Sequence, residues 1–165
     1  MTMGDEPVVF GVRMVADPKA ALGRLQTTVR ERGGWAQLFD AEAVLGRDHI
    51  VSAVHHAERA VAENRNTTGS LEMEILLYVS GERQISKALA AAGARPGRPA
   101  VAVISGPLGA QEVLPALGWE RDDSVLEPTP ARLRSAGFSK EEIEAAGGNA
   151  TDLILERVAR VDLIK

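Results

Sequence analysis

The residues best equipped for chemistry follow a single glycine. Gly81-Glu82-Arg83-Gln84-Ile85-Ser86-Lys87 places a guanidinium, an amide and an ammonium within little more than one helical turn. Arg83 could fork two hydrogen bonds onto a phosphate, Lys87 would act as a point charge, and Gln84 offers donors and acceptors to a base edge. A merely solvated helix face looks the same, and Glu82 can pair locally, so both readings stand. His49, His55 and His56 are the three histidines. Neighbouring histidines point to different sides of a helix and no HxxxH spacing occurs, so a metal or general-base role competes with that of partly exposed helix histidines. Ser105-Gly-Pro-Leu-Gly109 leads from an expected strand into an expected helix, whose N-terminus could hold an anion. It has neither the GKS/GKT of a phosphate loop nor GxGxxG, and a plain strand-to-helix turn explains it equally. In the last helix Leu153, Ile154, Leu155, Val158, Val161, Leu163 and Ile164 wrap more of the circumference than one core face needs. Such an excess suits a partner or the chain's own core.

The elements that must position these residues can be read from periodicity and punctuation. LEMEILLYVS, Leu71 to Ser80, is apolar on nearly every side and predicts a buried central helix, with Leu76 and Leu77 inside. Glu72 and Glu74 fall in its first turn, where negative charge meets the positive end of the dipole, and Ser70 or Thr68 can cap it. Gly81 breaks it. A second helix follows, with Ile85, Ala88, Leu89 and Ala92 as its apolar stripe and Arg83, Gln84 and Lys87 opposite. Upstream, Val8 to Ala16 reads as a strand, and Asp17-Pro18 opens a helix to about Arg32 with Leu22, Leu25 and Val29 inside. Trp35 to Phe39 reads as a second strand. Asp48 is placed to cap a helix to about Arg65, buried along Ile50, Val54, Ala57 and Val61, with His55 and Arg59 together on its flank. Downstream, Ala100 to Ser105 (AVAVIS) suits a central strand buried on both faces. Short helices follow over Gly109 to Leu117, after Thr129, and from the Ser139–Glu142 capping box. Trp119 to Asp123 could add an edge strand, and Asn149 would cap the last helix.

These elements predict an α/β fold, with α+β as the alternative. We expect one domain over residues 1–165, loose over 1–7, in which a small mixed sheet of three to four strands packs with seven or so helices. The 165 residues suffice for a proper core, and 45% hydrophobic with 25% charged residues is an ordinary globular balance. The chain has no cysteine, which excludes disulfides, thiolate nucleophiles and Cys-ligated metal centres. This fits a cytoplasmic protein, as does the absence of a signal-peptide pattern in MTMGDEPVVF or of a membrane-length apolar run. Net charge is −4, and there are only two Trp, one Tyr and three Phe. Neither a broad basic footprint nor a stacking platform for single strands is available, so any RNA contact should be small and local. No cofactor, metal or small-molecule substrate is expected.

Three contiguous stretches carry a family resemblance: EILLYVSGERQISKAL (74–89), DDSVLEPTPARLRSAGFSKEEI (122–143) and LILERVARVDL (153–163). They resemble, in the same order, the archaeal type of the small kinase-binding subunit of the KEOPS complex, the PRPK-binding protein family. The resemblance implies a non-catalytic subunit of a machine that makes threonylcarbamoyladenosine in tRNA. Such a subunit docks on the complex's small kinase-like ATPase, stimulates it, and helps recruit tRNA by its 3′ CCA end. It implies RNA contacts at Arg83, Gln84 and Lys87, with His55 and Arg59 brought close. It also favours the partner reading of the last helix, with Ile154, Arg157, Val158 and Val161 facing the kinase. The competing function is a small cytosolic hydrolase or transferase near the Gly81 turn, using Glu82, His55 or Ser105. The sequence pairs no nucleophile with a base at helical spacing.

Overall fold

The computed structural model describes residues 6–147 and 150–165. In chain order the elements are β1 (Val8–Val15), α1 (Pro18–Arg30), β2 (Ala36–Asp40), α2 (Arg47–Ala62), α3 (Leu71–Ser80) and α4 (Ile85–Ala92). Then come β3 (Arg98–Ile104), α5 (Ala110–Leu117), α6 (Pro130–Ser135), α7 (Lys140–Ala145) and α8 (Thr151–Ile164). Short 3-10 turns cover Ala41–Ala43 and Asp123–Leu126.

The strands form one sheet in the order β1-β3-β2. Ala102 of β3 stands opposite Phe10 on one side and Leu38 on the other, and both pairings are antiparallel. The expected mixed sheet is therefore corrected to an antiparallel one. The α1 crossover sets β1 and β2 parallel to each other but one strand apart, and β3, arriving later, fills the gap running the other way. Periodicity marks the strands but carries no direction, which is why the sequence misleads here.

Ala100 to Ile104 are all fully buried, as the unbroken apolar run predicts. One sheet face is Phe10, Val12, Leu38, Ala100, Ala102 and Ile104, covered by Leu25 and Val29 of α1 and by Val113 and Leu117 of α5. The other presents Val9, Phe39, Val101 and Val103 to α2 and α3. This is an α/β layered fold, with α4 packed on α3, and α8 packed on both α2 and α3.

The β1 edge of the sheet is covered. Residues 119–123 run beside β1 without becoming a strand: a single bridge joins Val12 to Arg121, and the Asp122 N–H donates to the Gly11 carbonyl at 2.9 Å. A Cβ on Gly11 would stand 2.1 Å from the Asp122 oxygen, so only glycine admits this approach. The covering removes a free pairing edge.

Most helix ends follow the sequence. Asp17 accepts from the Ala20 N–H at 3.2 Å, and Ser139 and Glu142 close a capping box. Asp48 does not cap α2; the helix begins at Arg47 after Gly46, and Asp48 sits in its first turn. Asn149 and residues 1–5 lie outside the described residues. Of the start expected to be loose, Pro7 is buried and Glu6 lies 3.6 Å from Arg47. Among the described residues no helix is long and apolar enough to cross a membrane.

Candidate partner-binding surfaces

The site begins inside the molecule. The Ser70 hydroxyl caps α3 by accepting from the Met73 N–H at 3.1 Å. Leu76 and Leu77 are buried, as expected of a helix enclosed on every side. Gly81 ends α3 in the left-handed conformation, φ 75°, its N–H donating to the Leu77 carbonyl at 2.9 Å. Four residues later α4 starts at Ile85. Arg83, Gln84 and Lys87 are exposed. Among the described residues none of these three side chains has a hydrogen-bond or ion-pair partner.

The apolar stripe of α4 is seated differently from expectation. Only Ala88 and Ala92 are buried, while Ile85 is 39% and Leu89 50% exposed. The two alanines let α4 lie close on its neighbours, and that seating turns the larger side chains outward. The exposed surface around the start of α4 therefore carries Arg83, Gln84 and Lys87 as well as Ile85 and Leu89.

Arg157, expected at a partner interface, is a fastener. Its Nη2 donates to the Ser80 carbonyl at 2.9 Å and its Nη1 to the Ala136 carbonyl at 2.6 Å. These carbonyls stand at the ends of α3 and α6, so one guanidinium caps two helix C-termini, where positive charge is favoured. The group also lies 5.7 Å from the centre of the Phe138 ring. Gly81 leaves room for it, since a Cβ there would meet Arg157 Nε at 2.9 Å. Burial lowers the Arg157 pKa from its usual value.

The inner stripe of α8 is likewise core. Ile154, Val158 and Val161 are each at most 3% exposed, which corrects their placement at a partner interface. Ile154 packs with Leu45 and Leu133; Val158 and Val161 join the α2–α3 core. The exposed apolar residues of α8 are at its end, with Leu163 at 84% and Ile164 at 45%.

His55 and Arg59 are not brought to α4. His55 Nε2 lies 3.5 Å from a Glu6 carboxylate oxygen, and Arg59 approaches His56. Both line a shallow groove with Leu155 between α2 and α8. His49 Nε2 lies 2.9 Å from the Val79 carbonyl, which fixes the α3 terminus against the start of α2. His55 and Arg59 are roughly 9 and 15 Å farther along α2, at 1.5 Å per residue. His49 is itself no exposed helix histidine. Its Nδ1 accepts from the Leu45 N–H at 3.0 Å, so Nε2 carries the proton and donates to Val79. Burial pushes its pKa down to about 4.

The residues of the enzymatic alternative are dispersed. Glu82 is at the C-terminal end of α3 and His55 pairs with Glu6. The Ser105 N–H donates to the Trp35 carbonyl beside the start of β2, the end of the sheet to which Gln37 ties the N-terminus of α3. In the Ser105–Gly109 turn, the Glu112 carboxylate accepts from the Gly109 N–H at 3.3 Å. The chain thus supplies its own anion at the start of α5, and the plain turn is the better reading. Among the described residues no three acidic or histidine side chains converge to hold a metal.

Sequence reasoning missed a polar cluster on α3 and α8. Glu74 is fully buried. It accepts from Lys165 Nζ at 2.5 Å and from the Thr67 and Thr68 N–H groups at 3.2 and 2.8 Å. Burial raises its pKa, but these bonds outweigh it and hold the carboxyl below its usual range. Asp162 gathers the Tyr78 hydroxyl, His56 Nδ1 at 2.8 Å and Arg65 Nη1 at 3.3 Å. Desolvation is again outweighed, and its carboxyl too is held low. The available signal was Glu74 four residues before Tyr78 on a helix otherwise without a polar face.

The fold and these surfaces define a small α/β protein that exposes polar groups around the start of α4 and an aliphatic pair at the end of α8. Residues 20–118 match the model of the kinase binding protein CGI-121 family, and the chain belongs to that family. It is similar to the regulatory protein Cgi121 of Methanocaldococcus jannaschii, with 28% identity over 143 residues, 86% of this chain and 93% of that protein.

Proposed function

We propose that this chain is a non-catalytic adaptor of the KEOPS complex in tRNA threonylcarbamoyladenosine formation. It binds and stimulates the kinase-like ATPase subunit and recruits tRNA by its 3′ CCA end. The observation that carries the RNA half is the exposed trio Arg83, Gln84 and Lys87, whose side chains have no partner among the described residues. Two cations and one amide suit two or three phosphates and a base edge of a short single-stranded end. The acidic chain as a whole, net charge −4, would repel a longer tract. His55 and Arg59 then belong to a separate surface along α2, outside this RNA contact. The kinase half draws on the family's kinase-binding description. With the inner stripe of α8 consumed by the core, Leu163 and Ile164 remain as the apolar contact on that helix. The working location of such an adaptor is the cytoplasm.

The test is a titration of wild type and Arg83→Glu against intact tRNA and tRNA lacking its terminal CCA. Wild type should favour intact tRNA, and the variant should bind both weakly while keeping its affinity for the kinase subunit. Equal wild-type affinity for the two RNAs would remove the 3′-end reading.

A further inference from the structure

The last turn of α8 alternates in a telling way. Asp162 and Lys165 point inward, and the two residues between them, Leu163 and Ile164, point out. The inward residues are fastened at separate places. Asp162 receives Tyr78 and His56 from two other helices, and Arg65 from the segment after α2. The geometry also assigns a tautomer. Arg59 Nη2 lies 3.1 Å from the same His56 Nδ1 that is 2.8 Å from Asp162. An unprotonated Nδ1 would set a lone pair against the carboxylate, so Nδ1 carries its proton toward Asp162. Lys165 Nζ reaches Glu74, donates to the Tyr78 hydroxyl at 3.2 Å, and lies 4.8 Å from the centre of the Tyr78 ring. The His56 and Tyr78 rings stack at 5.5 Å. Tyr78 thus touches both fastenings, accepting from one and donating to the other.

A helix end normally frays, and apolar side chains there have no fixed direction. This end is held by two charged anchors three residues apart, with one exposed aliphatic pair between them. We propose that Asp162 and the Glu74–Lys165 pair are positioning residues that present Leu163 and Ile164 to the kinase subunit. This rests on the reading of the α8 end as the kinase contact. The anchors do not touch the partner; they remove the ordering cost that a loose helix end would incur on binding.

The test measures affinity of the full chain for the purified kinase-like ATPase from the same organism, with hydrogen exchange over residues 161–165. Leu163→Glu/Ile164→Glu should abolish binding; unchanged affinity would remove the α8 end from the contact and the proposal with it. Asp162→Asn should speed exchange in the last turn and weaken binding about tenfold, a typical coupling between neighbours. Asp162→Asn should cost nothing further in a Leu163→Ala/Ile164→Ala background, because the anchor acts only through that pair. If the aliphatic pair matters but Asp162→Asn binds like wild type, the positioning role alone is overturned. An equal loss in both backgrounds overturns it too, since a general structural defect does not depend on the pair. Should Asp162→Asn lack a cooperative unfolding transition, Lys165→Gln is judged by the same three outcomes.

Discussion

The seam between α3 and α8 and the outer face of α4 use the same kinds of residue to opposite ends. Each combines aliphatic side chains with two or more ionic groups within a few turns of helix. In the seam every charge is answered: Glu74 by Lys165, and Asp162 by Tyr78, His56 and Arg65. Around the start of α4, Arg83 just before it and Lys87 in its first turn are answered by no group among the described residues. The difference lies in the neighbours. Where a helix docks along its whole length, its charges must be satisfied or they destabilise the fold. Where it docks on two alanines, as α4 does, its charges stay in water and remain available to a ligand. Seam charges should therefore govern stability with little effect on RNA, and α4 charges the reverse.

The largest effect should come from breaking the seam at its most buried point. Glu74→Ala leaves Lys165, whose side chain is only 5% exposed, without its counterion. Removing one partner of a buried ion pair costs about 3–5 kcal/mol. Chemical denaturation should show a loss of that size, with RNA affinity unchanged under conditions where the variant is folded. A loss under about 1 kcal/mol would mean that the pair is solvated, and the contrast between the two regions would collapse.

A smaller effect appears with pH and sharpens the picture at the junction of the two regions. His49 is buried and neutral, holding Leu45 and Val79 together just before Gly81. Its folded pKa is about 4 against an ordinary 6.5. Between those values the unfolded chain takes up a proton that the folded chain refuses, so stability falls as pH falls through this window. The full loss is about 3 kcal/mol, at 1.36 kcal/mol per pH unit. Glu74 and Asp162 act lower. Their folded pKa values are depressed, so their contribution is present above the ordinary carboxyl range and disappears only as pH drops through the folded values. Urea denaturation between pH 7 and 4.5 should show a slope in wild type that is absent in His49→Gln. A variant that keeps the slope would place the titrating group elsewhere.

Much of the scaffold was legible in the sequence because it depends on local signals. The limits of α3 follow from Ser70, ten mostly apolar residues and Gly81, and the buried strand from AVAVI. The candidate site was legible only in part. Arg83, Gln84 and Lys87 could be named because a glycine break and a polar run are local events. The fate of the α8 stripe could not, because Ile154, Val158 and Val161 are core only by virtue of α2, α3 and α6, which the sequence does not order in space. The same holds for Arg157: nothing in LERVA says that its guanidinium will meet the carbonyls of residues 80 and 136. Strand direction and the Glu74–Lys165 pair, 91 residues apart, are nonlocal in the same sense.

The smallest expected change in stability belongs to α4, and it is the most discriminating for function. Lys87→Gln removes one exposed charge that has no partner among the described residues, on a helix seated through Ala88 and Ala92. Such surface substitutions stay within about 0.5 kcal/mol of wild type. The unfolding midpoint should therefore not move. Binding to the tRNA end should weaken, and the change should have a particular form. Each phosphate neutralised on a single strand contributes roughly −0.7 to the slope of log K against log salt. Arg83 and Lys87 together predict a shallow wild-type slope, on the order of −1 to −2. Lys87→Gln should reduce its magnitude by about 0.7, the share of one phosphate. A base-reading residue behaves otherwise: Gln84→Ala should lower affinity while leaving the slope as it was, since it releases no counterion. If Lys87→Gln changes the midpoint but not the slope, Lys87 belongs with the seam charges. If it changes neither, the outer face of α4 is solvated surface and the RNA contact lies elsewhere.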